Sequence, residues 1–301
     1  MHFRAPRALG ALLLTGLAAC AITTIASAST HPQSSTHSTS SHRTTHHHRH
    51  RRLPPGGCWA RSAIVIDPAS GEVLFDKNSD VSVPIASLSK LMTIMVFLDQ
   101  KPDLDQDVVV SADDRQGAGH TQLRVGESVA LLDLLHMSLM CSDNCATRVL
   151  VRESGLAPDD YLARMNHEAL ELGMNHTRFV EFTGLDEHNV STAADVARML
   201  RAAAGFPLIH EITTTREYEF TSVRRAHAIR NTDRLLYGNR YEILGGKTGF
   251  ISEAGYCLAT WIRTEGRDLI AVVLGAPTGA TRFADTVRLV QRATSASLVQ
   301  P

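Results

Sequence analysis

Lysine is nearly missing from this chain. Of its 30 basic residues only Lys77, Lys90, Lys101 and Lys247 are lysine, the rest being arginine. An arginine stays protonated in any protein setting, whereas a desolvated lysine can lose its proton and act as a base. Each lysine is therefore informative, and two of the four fall in Ser87-Leu88-Ser89-Lys90 and Lys247-Thr248-Gly249. Cysteine is also scarce. If a leader containing Cys20 is removed, Cys58, Cys141, Cys145 and Cys257 remain, far too few for a disulfide scaffold at 301 residues. Cys141 and Cys145 have no companion metal ligands at suitable spacing, so the expectation is buried thiols or at most one bridge. Acidic residues are absent before Cys58 while six arginines precede it, so a net charge of −1 for the whole becomes −7 from Cys58 onward. An acidic domain argues against nucleic acid as its ligand. No internal repeat is present, and Gln291 to Pro301 offers neither an apolar span nor a basic amphipathic face.

The N-terminus has the layout of an export signal. Arg4 and Arg7 precede an apolar stretch from Ala8 to Ile25, and Ala26-Ser27-Ala28 supplies small residues for cleavage, so residues 1–28 are read as a secretory signal. The competing reading, a membrane anchor, suffers from a short apolar run broken by Thr15, Thr23 and Thr24. Leu17-Ala18-Ala19-Cys20 also resembles a lipobox, which would attach the chain to lipid through Cys20 and leave it periplasmic but anchored. Residues 29–57 begin with Ser, Thr, His and Arg and almost no aliphatic side chains, a composition expected to give a flexible arm. Its His46-His47-His48-Arg49-His50-Arg51-Arg52 run could bind a metal ion or an anionic wall polymer, against the plainer reading of a solvated tether. Leu53-Pro54-Pro55-Gly56-Gly57 ends it as a breaker cluster.

The folded domain is expected over residues 58–301. Ala63–Ile66 and Val73–Phe75 flank Asp67-Pro68-Ala69-Ser70-Gly71 and predict a hairpin. Gly255–Arg263 and Arg267–Leu274 predict two more antiparallel strands, and Ile243-Leu244 leads a third into Lys247. Between these groups the period is helical. Leu88–Leu98 is almost entirely apolar and predicts a buried helix. Val129–Met140, Cys145–Glu153, Asp159–Leu172, Thr192–Ala204 and Arg282–Ala296 predict further helices, the fourth of these opened by a capping box at Thr192. Strands at both ends with helices between them give an α+β class, with an antiparallel sheet assembled from N- and C-terminal strands around a central helical region.

Three short motifs occur in that frame. Ser87 and Lys90 are spaced to share one face of the buried helix, where an ammonium among Leu88, Leu91 and Met92 would be costly enough to become a neutral base for Ser87. Alone, Ser-x-x-Lys is a weak signal, since a cap serine beside a snorkelling lysine looks the same. Ser142-Asp143-Asn144 lies between two helical runs and by itself is an ordinary capping cluster. Lys247-Thr248-Gly249 follows Gly245-Gly246, and its rival reading as a phosphate loop fails because Tyr241 stands where the first glycine would be needed. In this order and these contexts the three together are a strong joint signal, one established for β-lactamases and penicillin-binding proteins.

The chain resembles the low-molecular-mass penicillin-binding proteins, serine D,D-peptidases of cell-wall metabolism. The likeness extends through Ala86–Thr93 and Gly246–Cys257. Leu172–Glu181, with Asn189–Thr192 and Thr213–Glu217, is most similar to the D-alanyl-D-alanine endopeptidase branch, although Phe182 stands where that branch would have proline. The resemblance implies a β-lactamase/D,D-peptidase-like fold, peptidoglycan crosslinks as substrate, β-lactams as covalent inhibitors, and no cofactor or metal. It implies Ser87 as nucleophile, Lys90 as base and Ser142 as proton relay. Asn144, Lys247, Thr248 and Gly249 would bind substrate, with the backbone N–H groups of Ser87 and Phe250 as oxyanion hole. The alternative within this class is a carboxypeptidase. A class A β-lactamase would need a Glu-x-x-Leu-Asn string, which is absent. A further rival is a sensor that is acylated without turnover.

Overall fold

The computed structural model describes residues 57–297, Arg224 excepted. The chain divides into Met1–His50 and Arg51–Pro301, and all described residues belong to the second unit. The leader, Cys20 and the His/Arg arm lie outside the described residues.

Strands β1 (Ser62–Ile66) and β2 (Val73–Lys77) make the expected hairpin, with the Asp67 carboxylate accepting from the turn N–H groups of Ala69 and Ser70. The two-residue strand β3 (Val83–Pro84) leads through a 3₁₀ turn, Ala86–Ser89, into helix α1 (Lys90–Asp99). Strands β4 (Asp107–Val109) and β5 (Ser128–Ala130) pair across an excursion holding the one-turn helix α2 (Ala112–Arg115). Helices α3 (Leu131–Met140), α4 (Asn144–Glu153) and α5 (Pro158–Glu171) follow. A short strand β6 (Val190–Ser191), which pairs with β3, precedes α6 (Ala193–Ala203) and α7 (Pro207–Thr214). The hairpin of β7 (Glu217–Thr221) and β8 (Ala226–Arg230) comes next. The chain then returns to the main sheet with β9 (Glu242–Ile251), β10 (Gly255–Thr264) and β11 (Arg267–Ala276), and ends in α8 (Gly279–Ser297).

The main sheet is antiparallel in the order β2-β1-β11-β10-β9, so the N-terminal hairpin docks on the last strand, Ala63 opposite Val273. Strand β11 is covered on both faces, which is why its sequence is apolar without alternation. Ile270, Val272 and Leu274 enter the core shared with the helices, while Leu269, Ala271 and Val273 enter a second core under Leu289, Val290 and Ala293 of α8. Asp285 of α8 accepts from the N–H groups of Trp59 and Ala60, each at 2.9 Å, which ties the two ends of the domain together.

Three local expectations are corrected. Val129 and Ala130 belong to β5 and not to the following helix, because Val129 pairs with Val108 across a ladder. Ser87 lies on the 3₁₀ turn, and the α-helix begins only at Lys90. At Thr192 the cap is half a box: Thr192 accepts from Asp195 N, but the Asp195 carboxylate turns away to His176 N, Thr177 and Arg198. The β7–β8 hairpin is not among the strands expected from the sequence, although His227 and Ile229 of β8 are buried between exposed neighbours, an alternation present in Ala226–Arg230.

Candidate active site

Helix α1 is the centre of the helical layer. Leu91, Met92, Ile94, Met95, Val96 and Phe97 are all buried, each contributing about 1.5–3 kcal/mol of apolar transfer. Together they outweigh the cost of carrying Lys90 into the same interior, where its side chain is fully enclosed. Desolvation lowers the Lys90 amine to about 7 against the pull of Glu181 and Asp143, a cost on the order of 5 kcal/mol.

The Lys90 amine has three neighbours: Ser87 Oγ at 2.9 Å, Asn144 Oδ1 at 2.6 Å and the Thr183 carbonyl at 2.6 Å. A neutral amine has two N–H groups and one lone pair. The two carbonyl oxygens can only accept, so they take both N–H groups and leave the lone pair for the Ser87 hydroxyl. The Asn144 amide cannot turn over without loss, because its Nδ2 donates to Ala118 O at 2.9 Å.

The Ser87 turn is held in a tight slot. Ala86 has φ of 50°, a conformation costly for a residue with a side chain. Two glycines make room for it. A Cβ on Gly184 would lie 2.0 Å from Ala86 O, and one on Gly249 would lie 3.1 Å from Ser87 N. Alanine at 184 therefore cannot be placed without moving the backbone that carries Ser87, and β9 runs directly beside the Ser87 N–H.

The second motif forms the corner between α3 and α4. Ser142 adopts φ of 64°, and its buried hydroxyl has no hydrogen-bond partner among the described residues. Asp143 caps α4 through Ala146 N at 3.0 Å, and Asn144 opens that helix. The third motif lies inside β9. Lys247 is 1% exposed, and burial, reinforced by the neighbouring charge of Lys90, drives its amine well below the usual lysine range. Thr248 Oγ1 meets Thr232 Oγ1 at 2.6 Å, and Thr232 donates through N and Oγ1 to Met140 O at 3.0 and 3.1 Å. Thr232 thus links the third motif to the end of α3, two residues before Ser142, a role its sequence neighbourhood does not signal. Phe250, half exposed, stacks on Tyr256. Arg282 of α8, also unsignalled, donates to Gly249 O at 3.1 Å and Cys257 O at 3.3 Å.

All four described cysteines are free. Burial pushes Cys141 and Cys145 up to about 12 and Cys257 up to about 11, so they remain unreactive thiols. Among the described residues no group of three or more His, Cys, Asp or Glu could hold a metal ion.

Sheet, enclosed lysine and adjoining serine describe a serine acyl-transfer enzyme. The profile of the D-alanyl-D-alanine carboxypeptidase family matches residues 49–278. A D-alanyl-D-alanine endopeptidase of Pseudomonas aeruginosa is 39% identical over 232 residues, covering 76% of this chain and 75% of the relative. The endopeptidase of Escherichia coli is 37% identical with the same coverage. A D-alanyl-D-alanine carboxypeptidase of Mycobacterium tuberculosis is 32% identical, covering 71% of this chain and 74% of the relative. The crystal structure of the Streptomyces K15 DD-transpeptidase shares the fold, with a TM-score of 0.75 at 24% identity over 81% of this chain and 99% of that one. The chain belongs to the D-alanyl-D-alanine carboxypeptidase family of serine D,D-peptidases.

Proposed function

We propose that the protein hydrolyses D-alanyl crosslinks in peptidoglycan through an acyl-enzyme, acting as a D,D-endopeptidase that β-lactams inhibit. The observation that carries this reading is the Lys90 amine, enclosed and held by two carbonyl acceptors with Ser87 Oγ at 2.9 Å. Ser87 Oγ attacks the D-alanyl carbonyl while Lys90 takes its proton, and the Ser142 hydroxyl relays a proton to the departing amine. Asn144, Lys247, Thr248 and Gly249 hold the substrate, and the N–H groups of Ser87 and Phe250 receive the oxyanion. Water then releases the acyl group. No cofactor enters any step, and the same reading places the enzyme outside the cytoplasmic membrane, where peptidoglycan lies.

The endopeptidase assignment rests on the 37–39% identity to relatives of that name. The carboxypeptidase reading is supported by the family description and by the Mycobacterium tuberculosis relative. Purified protein offered crosslinked dimeric and monomeric pentapeptide muropeptides, with products resolved by mass, is expected to cleave the dimer faster. Preferred release of free D-alanine would transfer the assignment to carboxypeptidase. Labelling without any hydrolysis would make the protein a sensor.

The seven histidines and four arginines of residues 29–52 are proposed to hold the acidic domain near an anionic wall. Deleting them is expected to leave turnover of a small soluble substrate unchanged and to reduce retention on sacculi. The reduction should be largest at low salt and at pH below about 6.5, where the imidazoles are charged. Equal retention at every salt and pH would leave the arm a passive tether.

A further inference from the structure

We propose that Glu181 is a positioning residue for the Ser87–Lys90 pair, its carboxylate fixing the loop whose Thr183 carbonyl grips the Lys90 amine. Glu181 Oε2 accepts from Thr183 N and Thr183 Oγ1, both at 2.7 Å. Its Oε1 accepts from Leu185 N at 3.0 Å, Asn189 Nδ2 at 3.1 Å and Gly184 N. One side chain therefore organises the backbone of three successive residues. The first presents its carbonyl to Lys90 at 2.6 Å, and the second is the glycine packed against Ala86 O.

Asn189 connects this loop to the nucleophile turn. It is fully enclosed, and its Oδ1 accepts from Val180 N at 2.7 Å and Glu181 N at 3.1 Å. Its Nδ2 also reaches Ser89 Oγ at 3.1 Å, and its carbonyl accepts from Ile85 N at 3.1 Å. The Glu181 loop and the Ser87 turn thus form one hydrogen-bonded unit, so a displacement of the first moves the second. The five donors on Glu181 saturate the roughly four lone-pair sites of a carboxylate. Glu181 is accordingly not arranged to activate water.

Charge supplies a second, separable effect. The charges acting on Lys90 are Glu181 and Asp143, which favour the ammonium, and Arg148, which opposes it. Cys141, pushed up to about 12 by burial, stays a neutral thiol, and the Lys247 amine is itself lowered by burial and by Lys90. Removing the Glu181 charge should let the amine lose its proton at lower pH, while removing its hydrogen bonds should loosen the geometry. The two effects have opposite signs near neutrality, which separates them from simple loss of structure.

This inference rests on the serine-peptidase reading, and the experiment keeps the two apart. Second-order acylation by a fluorescent penicillin is followed across pH for the wild type, Glu181→Gln and Glu181→Asp. Lysine ¹³Cε resonances are titrated in parallel, a tractable measurement because the chain has only four lysines. Glu181→Gln should lower the alkaline plateau about tenfold. It should also move the acid limb and the Lys90 titration down by about one pH unit. Glu181→Asp, which keeps the charge on a shorter stem, should lose plateau several-fold and keep the wild-type limb. A wild-type plateau, or a limb and Lys90 resonance that do not move in Glu181→Gln, would overturn the proposal. If the glutamine variant does not fold, the aspartate variant decides it: an unchanged plateau or a shifted limb overturns it. A wild type that is never acylated instead removes the serine-peptidase reading, while the lysine titration still reports on Glu181.

Discussion

Ser87→Ala is expected to abolish covalent labelling by a fluorescent penicillin, a loss of at least about four orders of magnitude, while the protein still melts close to the wild-type temperature. Among the described residues the Ser87 hydroxyl makes one side-chain hydrogen bond, with Lys90 Nζ at 2.9 Å, and none with the surrounding backbone. Its removal therefore costs about 1 kcal/mol, or a few degrees in a domain of this size. Lys90 keeps the Asn144 and Thr183 oxygens as partners, so no buried amine is left without an acceptor. Intact-protein mass after penicillin treatment and a thermal melt check both halves. An adduct forming at the wild-type rate would remove Ser87 as nucleophile, and a collapse of the melt would make the serine structural.

Lys90→Arg should be almost as inactive as Lys90→Ala, each losing roughly two to four orders of magnitude in acylation rate. A guanidinium supplies charge and donors but no lone pair at any accessible pH. If charge alone mattered, the arginine variant would be rescued. The pH profile supplies the complementary check. With the amine lowered to about 7, the wild type is protonated and inactive below that value and gains rate as pH rises through it. Neither variant should show this limb. The measurement is the second-order acylation rate from about pH 5.5 to about pH 9. An arginine variant that keeps most of the rate, or a limb that persists in Lys90→Ala, would assign the base to another group.

The physical basis of both results is the same enclosure. The apolar face of α1 carries Lys90 inward, and two carbonyl oxygens define where its lone pair points. Lys247, buried close by, is held down in part by the charge of Lys90. Two amines within one enclosed site each disfavour protonation of the other, and an anionic ligand there would pull both back toward the ammonium form.

The sequence by itself determined the elements and the chemistry-bearing residues. Period-two and apolar runs placed the strands that make the main sheet, and an almost entirely apolar segment from Leu88 marked the buried helix. Lysine scarcity together with the motif order singled out Ser87, Lys90, Ser142, Asn144 and Lys247, because those signals are local and survive without a third dimension. Contacts between segments distant in the chain were decided only by the tertiary structure. Thr183 O meets Lys90 across 93 residues, and Thr232 reaches Met140 across 92. Ala86 accepts its strained turn because Gly184 and Gly249, from two different segments, leave no Cβ in its way. Glu181 and Asn189 were visible as letters, but their function lies in backbone N–H groups and carbonyls, which every residue shares and no side-chain pattern reveals. Short ladders such as β4–β5 escaped for the same reason: three residues carry too little periodicity to outweigh the helical run that follows.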